Sequence, residues 1–269
     1  MDLHEYNTLI LSDLHLGAET SRAREATRVL RENRFQRLIL LGDIFADLNF
    51  ARLTKEHWKF LGYIRKLSNP KRKIEIVWVE GNHDYGLTDI MSHLVGVQVY
   101  QEYAWEYRGR KHIAIHGHQF DGFQVNRMRL SRWGTSLYLQ LQKLDFKSKP
   151  IARLIDRLNT RWLRMSEKVA AGALAYARHH DAQGIFCGHT HQAMHVEENG
   201  IDYYNSGGWV DWRLTYLTVD ESGVQIHEYQ ERTDDRDSGE ERGEADSAFA
   251  DFADESGLLE DAEYAGAGR

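Results

Sequence analysis

Five stretches of this chain end a predicted strand with a glycine and with side chains able to hold a metal or move a proton. Gly81-Asn82-His83-Asp84 follows the apolar run 74–79. Its glycine permits a sharp turn, and its polar groups supply a neutral oxygen, an imidazole and a carboxylate suited to orienting that imidazole. Similar cargo recurs in Ser12-Asp13-Leu14-His15-Leu16-Gly17, Gly42-Asp43, His116-Gly117-His118 and Gly188-His189-Thr190-His191. Side chains two apart on extended chain project the same way, so Asp13 with His15, and His189 with His191, are expected to grip one site or two neighbouring sites. One such histidine alone, like His4, His57 or His112, is an ordinary surface or core residue. The signal lies in the recurrence.

The elements that must bring these tips together are readable from the patterning. Residues 7–12, 37–41 and 74–79 read as strands. Residues 21–33 and 54–68 read as helices, with Ser21 as an N-cap and Trp58, Leu61 and Ile64-Arg65 in helical spacing. Alternating strands and helices at this spacing predict a parallel sheet with right-handed crossovers, whose strand ends open on a common crevice. After a short helix over 87–94, short strands are expected at 97–99, 105–107 and 111–115. A second strand-rich stretch starts at Gly184 and runs through 201–205, 214–219 and 224–229, with Gly200 and Ser222-Gly223 supplying hairpin turns. The expected class is α/β, two sheets face to face with helices outside.

Residues 122–183 read as a helical insertion standing over the crevice. Ile151, Leu154, Ile155, Leu158, Trp162, Met165 and Val169 form an apolar stripe beside a basic one of Arg153, Arg157, Arg161, Arg164 and Lys168. Across 123–168 there are 11 basic and 3 acidic residues. Residues 231–269 reverse that balance with 14 acidic and 4 basic, so the remainder carries about +3 within a total of −7. The expected organisation is one domain over 1–230 and an acidic, disordered tail over 231–269, in which Phe249, Phe252, Leu258 and Leu259 suit one weak helix.

Composition narrows the class further. Hydrophobic content of 42% and charged content of 28% are those of a soluble globular protein. A single cysteine, Cys187, excludes an internal disulfide framework and suits a reducing compartment. No apolar run approaches the roughly 20 residues of a spanning helix. Met1-Asp2-Leu3-His4-Glu5 lacks the basic start and apolar core of a secretory signal, so a cytoplasmic protein is expected.

In this order, the blocks from Asp13 to His191 resemble the calcineurin-like metallophosphoesterase superfamily. The resemblance implies a four-layer α/β/β/α sandwich and two divalent metals. Asp13, His15, Asp43 and His191 would hold one; Asp43, Asn82, His116 and His189 the other, with Asp43 bridging. Mixed carboxylate, imidazole and amide ligation suits Mn²⁺, with Fe²⁺ and Zn²⁺ as alternatives. Hydroxide held between the metals would attack phosphorus in line, while His83, oriented by Asp84, stabilises charge or protonates the leaving oxygen. Asn82, His83, Asp121 and His189 are the implied substrate contacts.

Within that superfamily the layout is similar to the UDP-2,3-diacylglucosamine hydrolases of lipid A synthesis. The likeness rests on 12–17, on Phe120-Asp121 after His116, on the helical insertion and on Tyr204-Asn205-Ser206-Gly207-Gly208-Trp209-Val210. It implies a lipid-linked nucleotide sugar, a diphosphate bond and peripheral contact with an anionic inner-membrane surface. His83 and His118 depart from that group, where Arg and Asp stand. A general phosphodiesterase or phosphoprotein phosphatase would use the same metals. A nucleic-acid enzyme would stack bases on Trp133, Tyr138 and Trp162, though no dedicated nucleic-acid module is visible. The non-enzymatic retromer scaffold subunit shares the fold but expects eroded ligands, and none is eroded here. The sequence does not fix the oligomeric state.

Overall fold

Leu9, Ile10 and Leu11 are consecutive and all fully buried, because helices cover one face of their strand and a second sheet covers the other. The computed structural model of the chain describes residues 5–86, 91, 93, 95–121 and 165–231. Nearly all of these lie in the first of two units, Met1–Tyr229. The first sheet is built from β1 (Glu5–Leu11), β2 (Arg34–Leu41), β3 (Glu75–Val79) and β4 (Val99–Tyr100), all parallel. Helices α1 (Ala23–Glu32) and α2 (Lys55–Leu67) connect the first three strands. The second sheet comprises β5 (Glu102–Tyr107), β6 (Arg110–Ile115), β7 (Gly184–Cys187), β8 (Met194–Glu198) and β9 (Ile201–Asn205), in the order β5-β6-β7-β9-β8. Strands β10 (Thr215–Asp220) and β11 (Gly223–Glu228) return to the first sheet, β10 antiparallel to β1.

Three apolar layers hold this together. Ala26, Val29 and Leu30 of α1 and Phe60, Leu61 and Ile64 of α2 pack on Leu9, Leu11, Leu38 and Trp78. Ile10, Ile39, Leu41, Val77 and Val79 meet Trp105, Ala114, Phe186 and Tyr204 of the second sheet. On the far side a helix α3, residues 165–179, presses Val169, Ala173, Leu174 and Ala177 onto Ile113, Ile185 and Tyr203. The result is the α/β/β/α sandwich. Period-two alternation sends neighbouring apolar residues to different layers, which is why the strand sequences run continuously apolar.

Several expectations need correction. Ser21 does not cap α1: the N-cap is Arg22, and the Ser21 hydroxyl instead donates to the Leu14 carbonyl at 2.7 Å. Trp58 stands 45% exposed, off the buried face of α2. The strand expected at 97–99 is Val99–Tyr100. Strand β8 lies outside the expected strands: in Met194-His195-Val196-Glu197-Glu198, an edge strand, only Met194 and Val196 turn inward, partly buried, which is too short an alternation to mark it. Its hairpin with β9 turns at Asn199-Gly200, both at positive φ, as a two-residue turn requires. Of the expected insertion, 165–179 is a flanking helix of the second sheet; 122–164, with most of both stripes, lies outside the described residues, as do most of 87–94 and all of 232–269. Among the described residues no helix is long and apolar enough to cross a membrane.

Candidate metal centre

Strands β1, β2 and β3 run parallel to one another in the first sheet, as do β6, β7 and β9 in the second, and the loops beyond their carboxyl ends carry the polar tips. Backbone bonds lace these loops to one another. Asp13 N donates to Gly42 O at 3.0 Å, His15 N to Asp43 O at 3.0 Å, Gly188 N to His116 O at 3.0 Å and Trp209 N to Asp13 O at 3.0 Å. The extended strand-end pairs expected from the sequence are not what the backbone forms at five of the seven candidate ligands. Asp13, His15, Asp43, His189 and His191 all have positive φ, between 47° and 66°. That left-handed region is sparse for non-glycine residues and costs of order 1 kcal/mol each, so five instances at one place mark a backbone bent for its side chains. Close approach is also needed: a Cβ at Gly81 would collide with Asp43 N and Oδ1, and one at Gly188 with Asp13 Oδ2.

The side chains converge in three overlapping groups: Asp13, His15 and His191; His15, Asp43 and His83; and Asp43, His116 and His189. In the first, His191 Nε2 lies 3.3 Å from Asp13 Oδ1 and 3.1 Å from His15 Nε2. Asp43 stands at the junction, with Oδ2 3.3 Å from His116 Nε2, 3.9 Å from His83 Nε2 and 4.0 Å from His15 Nε2. Bonds of about 2.1 Å to one cation place neighbouring ligand atoms about 3.0–3.4 Å apart, so the tightest contacts suit a shared ion. Unpaired buried atoms agree. Asn82 Oδ1, His116 Nε2 and His189 Nε2 have no hydrogen-bond partner; Asp43 faces His116 as an ion pair without hydrogen-bond alignment. Burying such atoms unpaired is costly, and a cation is a group that would satisfy all three.

The opposite ring nitrogens show how the imidazoles are aimed. His116 Nδ1 meets the Leu41 carbonyl at 3.0 Å, His83 Nδ1 the Ala46 carbonyl at 2.8 Å, and His191 Nδ1 the Asp211 carboxylate at 3.3 Å. A carbonyl only accepts, so His116 and His83 carry their proton on Nδ1 and turn Nε2 inward. Asp84 does not orient His83, contrary to expectation. Its carboxylate accepts Gly81 N at 2.6 Å and Ile44 N at 2.9 Å, pinning the turn instead. Asp121 Oδ2 lies 3.5 Å from His189 Nε2, beside the second group. His118, seen in the sequence only as a departure, is also here, its ring centroid 5.5 Å from that of His116 and its Nδ1 buried without a partner. Asp211 escaped the sequence reading, although it follows Trp209-Val210 directly.

Charge couples the carboxylates and imidazoles of the cluster. Burial alone would push Asp13 and Asp43 up; His191 holds the first below its ordinary value, and His116 holds the second well below. Burial alone would lower His116 and His191, but Asp43 lifts the former to about 9 and Asp13 lifts the latter to about 10. The two carboxylates and these two imidazoles thus favour one another's charged forms. Burial, then the like charge of His116 and His189, lowers His118 to about 4. Burial and then Asp43 raise Asp84 to about 6. Divalent cations compete for the sites these protons hold, so their uptake should release protons.

The sequence matches a family model described as the calcineurin-like phosphoesterase superfamily domain over residues 7–223. No curated protein matches. Among solved structures, an archaeal phosphodiesterase is 12% identical with a TM-score of 0.45, covering 82% of this chain and 99% of its own. A Vps29 single mutant from Entamoeba histolytica is 13% identical with a TM-score of 0.42, covering 84% and 99%. A predicted phosphoesterase from Streptococcus pneumoniae is 14% identical with a TM-score of 0.38, covering 83% and 98%.

Proposed function

The chain belongs to the calcineurin-like phosphoesterase superfamily, and we propose that it is a two-metal hydrolase of a phosphoester or diphosphate bond, acting on a nucleotide sugar of the UDP-2,3-diacylglucosamine type. The observation that carries the hydrolase reading is the junction at Asp43. One buried carboxylate belongs to two groups of ligand atoms, one with His15 and His83 and one with His116 and His189. On this reading Asp13, His15, Asp43 and His191 hold one cation, and Asp43, Asn82, His116 and His189 the other. The hard carboxylate and amide oxygens suit Mn²⁺, and the borderline imidazole nitrogens keep Fe²⁺ and Zn²⁺ as alternatives. Bound there, two such ions supply Lewis acidity toward a phosphoryl oxygen and acidify water to a nucleophile at neutral pH.

The chain's own residues do the rest. Asp84 and the backbone bonds between loops fix the ligand positions before substrate arrives, so little reorganisation remains to be done. His83 is the ring at the mouth, its side chain 31% exposed where those of His116 and Asp43 are buried. With Nδ1 committed to the Ala46 carbonyl, only the imidazolium form presents an N–H from Nε2 to a phosphoryl or leaving oxygen. Asn82, Asp121 and His189 complete the substrate contacts. The basic composition of 123–168 supports an anionic substrate or contact with an anionic membrane surface from the cytoplasmic side.

The test is a Mn²⁺-supplemented panel of UDP-2,3-diacylglucosamine, a chromogenic diester, a phosphopeptide and RNA, with Asp43→Asn as control. Preference for the acylated nucleotide sugar is expected. Turnover of the diester alone would leave a general phosphodiesterase, and equal rates in the control would remove the metal mechanism.

A further inference from the structure

Residues 204–210 carry part of the sequence resemblance, and Asp211 follows them directly. In three dimensions this stretch frames the first group of ligand atoms. Ser206 N donates to Cys187 O at 3.0 Å, and the Ser206 and Ser12 hydroxyls are 2.6 Å apart. Trp209 is fixed on both sides, its N–H on Asp13 O at 3.0 Å and its carbonyl accepting Arg22 N at 2.9 Å, with the indole fully buried. Asp211 follows two residues after this anchor, and its Oδ2 reaches His191 Nδ1 at 3.3 Å.

We propose that Asp211 is a positioning residue of the metal centre: it holds His191 with Nε2 turned toward Asp13 and His15, and so sets the affinity of one of the two cations. The inference rests on the metal reading given above. His116 and His83 are aimed by backbone carbonyls, of Leu41 and Ala46. His191 is aimed by a side chain, and a charged one. A carboxylate on the far nitrogen fixes ring orientation and strengthens the facing nitrogen as a donor, an effect on metal affinity of about 10- to 100-fold. The plain alternative is a surface ion pair of little consequence, since the Asp211 side chain is 40% exposed. The two differ in one respect: a positioning carboxylate acts on one cation, and a surface pair acts on neither.

The experiment titrates Mn²⁺ calorimetrically into metal-stripped full-length protein, comparing the wild type with Asp211→Ala and Asp211→Asn, and records melting of each metal-free form. Asp211→Ala should weaken one of two binding events by about 10- to 100-fold and leave the other within about threefold. Asp211→Asn keeps an acceptor oxygen without the charge and should fall between. Metal-free melting temperatures should agree within about 2 °C, as for a surface substitution. Two unchanged binding events in both variants would overturn the proposal while leaving the metal reading intact. So would equal weakening of both events accompanied by a lowered metal-free melting temperature, which is a structural lesion. Wild-type protein that binds no Mn²⁺ would overturn the metal reading, and this inference with it.

Discussion

Asp43→Asn is the substitution that bears most directly on the centre. The amide keeps the volume of the carboxylate and an oxygen able to accept the His83 N–H, now 2.8 Å from Oδ1. What it loses is the negative charge at the junction, which faces His116 at 3.3 Å, His83 at 3.9 Å and His15 at 4.0 Å. Across about 4 Å, at an effective dielectric constant of about 20, one pair of unit charges contributes about 4 kcal/mol. At about 1.4 kcal/mol per tenfold, that is close to a thousand-fold in affinity, and a divalent ion feels more. Both cations should weaken together, because the lost charge serves both groups. The assay pairs calorimetric Mn²⁺ titration with turnover of a chromogenic diester, and far-ultraviolet circular dichroism checks the fold. Turnover below about a thousandth of wild type is expected, with the secondary structure retained. A variant that keeps native-like turnover at saturating Mn²⁺, or that loses only one binding event, refutes the bridging argument.

Asp84→Ala strands two buried amides, those of Gly81 and Ile44, and should cost about 2–4 kcal/mol in urea denaturation, against about 1 kcal/mol or less for His83→Ala. Equal losses would restore Asp84 as the partner of His83. Mn²⁺ at about 100 times its dissociation constant should add about 2.7 kcal/mol and about 5–10 °C of melting temperature for each site filled, reversibly with chelator; an unchanged melting curve counts against binding to the folded chain. In metal-free protein, folding raises His116 to about 9 and His191 to about 10 from an ordinary 6.5. Their stabilisation is therefore complete below about pH 6.5 and is lost as pH rises through about 9–10. The metal-free melting temperature should fall across that window, and a flat profile would show that these rings do not carry the balancing charge.

The sequence by itself determined the layers and the inventory of the centre. Strands covered on both faces must be apolar at every position, so 7–12, 37–41 and 74–79 were legible as a parallel sheet. The tips were legible because glycine and metal-binding side chains follow each apolar run, and the structure gathers six of the seven proposed ligands into overlapping groups, with the seventh, Asn82, presenting a buried Oδ1 without a hydrogen-bond partner in the loop after β3. Strand β8 was not legible, since this edge strand turns only Met194 and Val196 inward, two partly buried positions that are too few to read as a period.

Only the tertiary structure decided who holds whom. Asp84 follows His83 in sequence, yet it turns to the amides of Gly81 and Ile44, while His83 is aimed by a carbonyl from the loop after β2. The left-handed backbone at five ligand positions is set by bonds between loops, not by any local pattern. Asp13 accepts the amide of His189 across 176 positions, and Asp211 reaches His191 from a segment that returns after a whole hairpin. Periodicity records how one strand is covered. It says nothing of which loop of another strand lies 3 Å away, and at this centre such contacts aim His116 and His191.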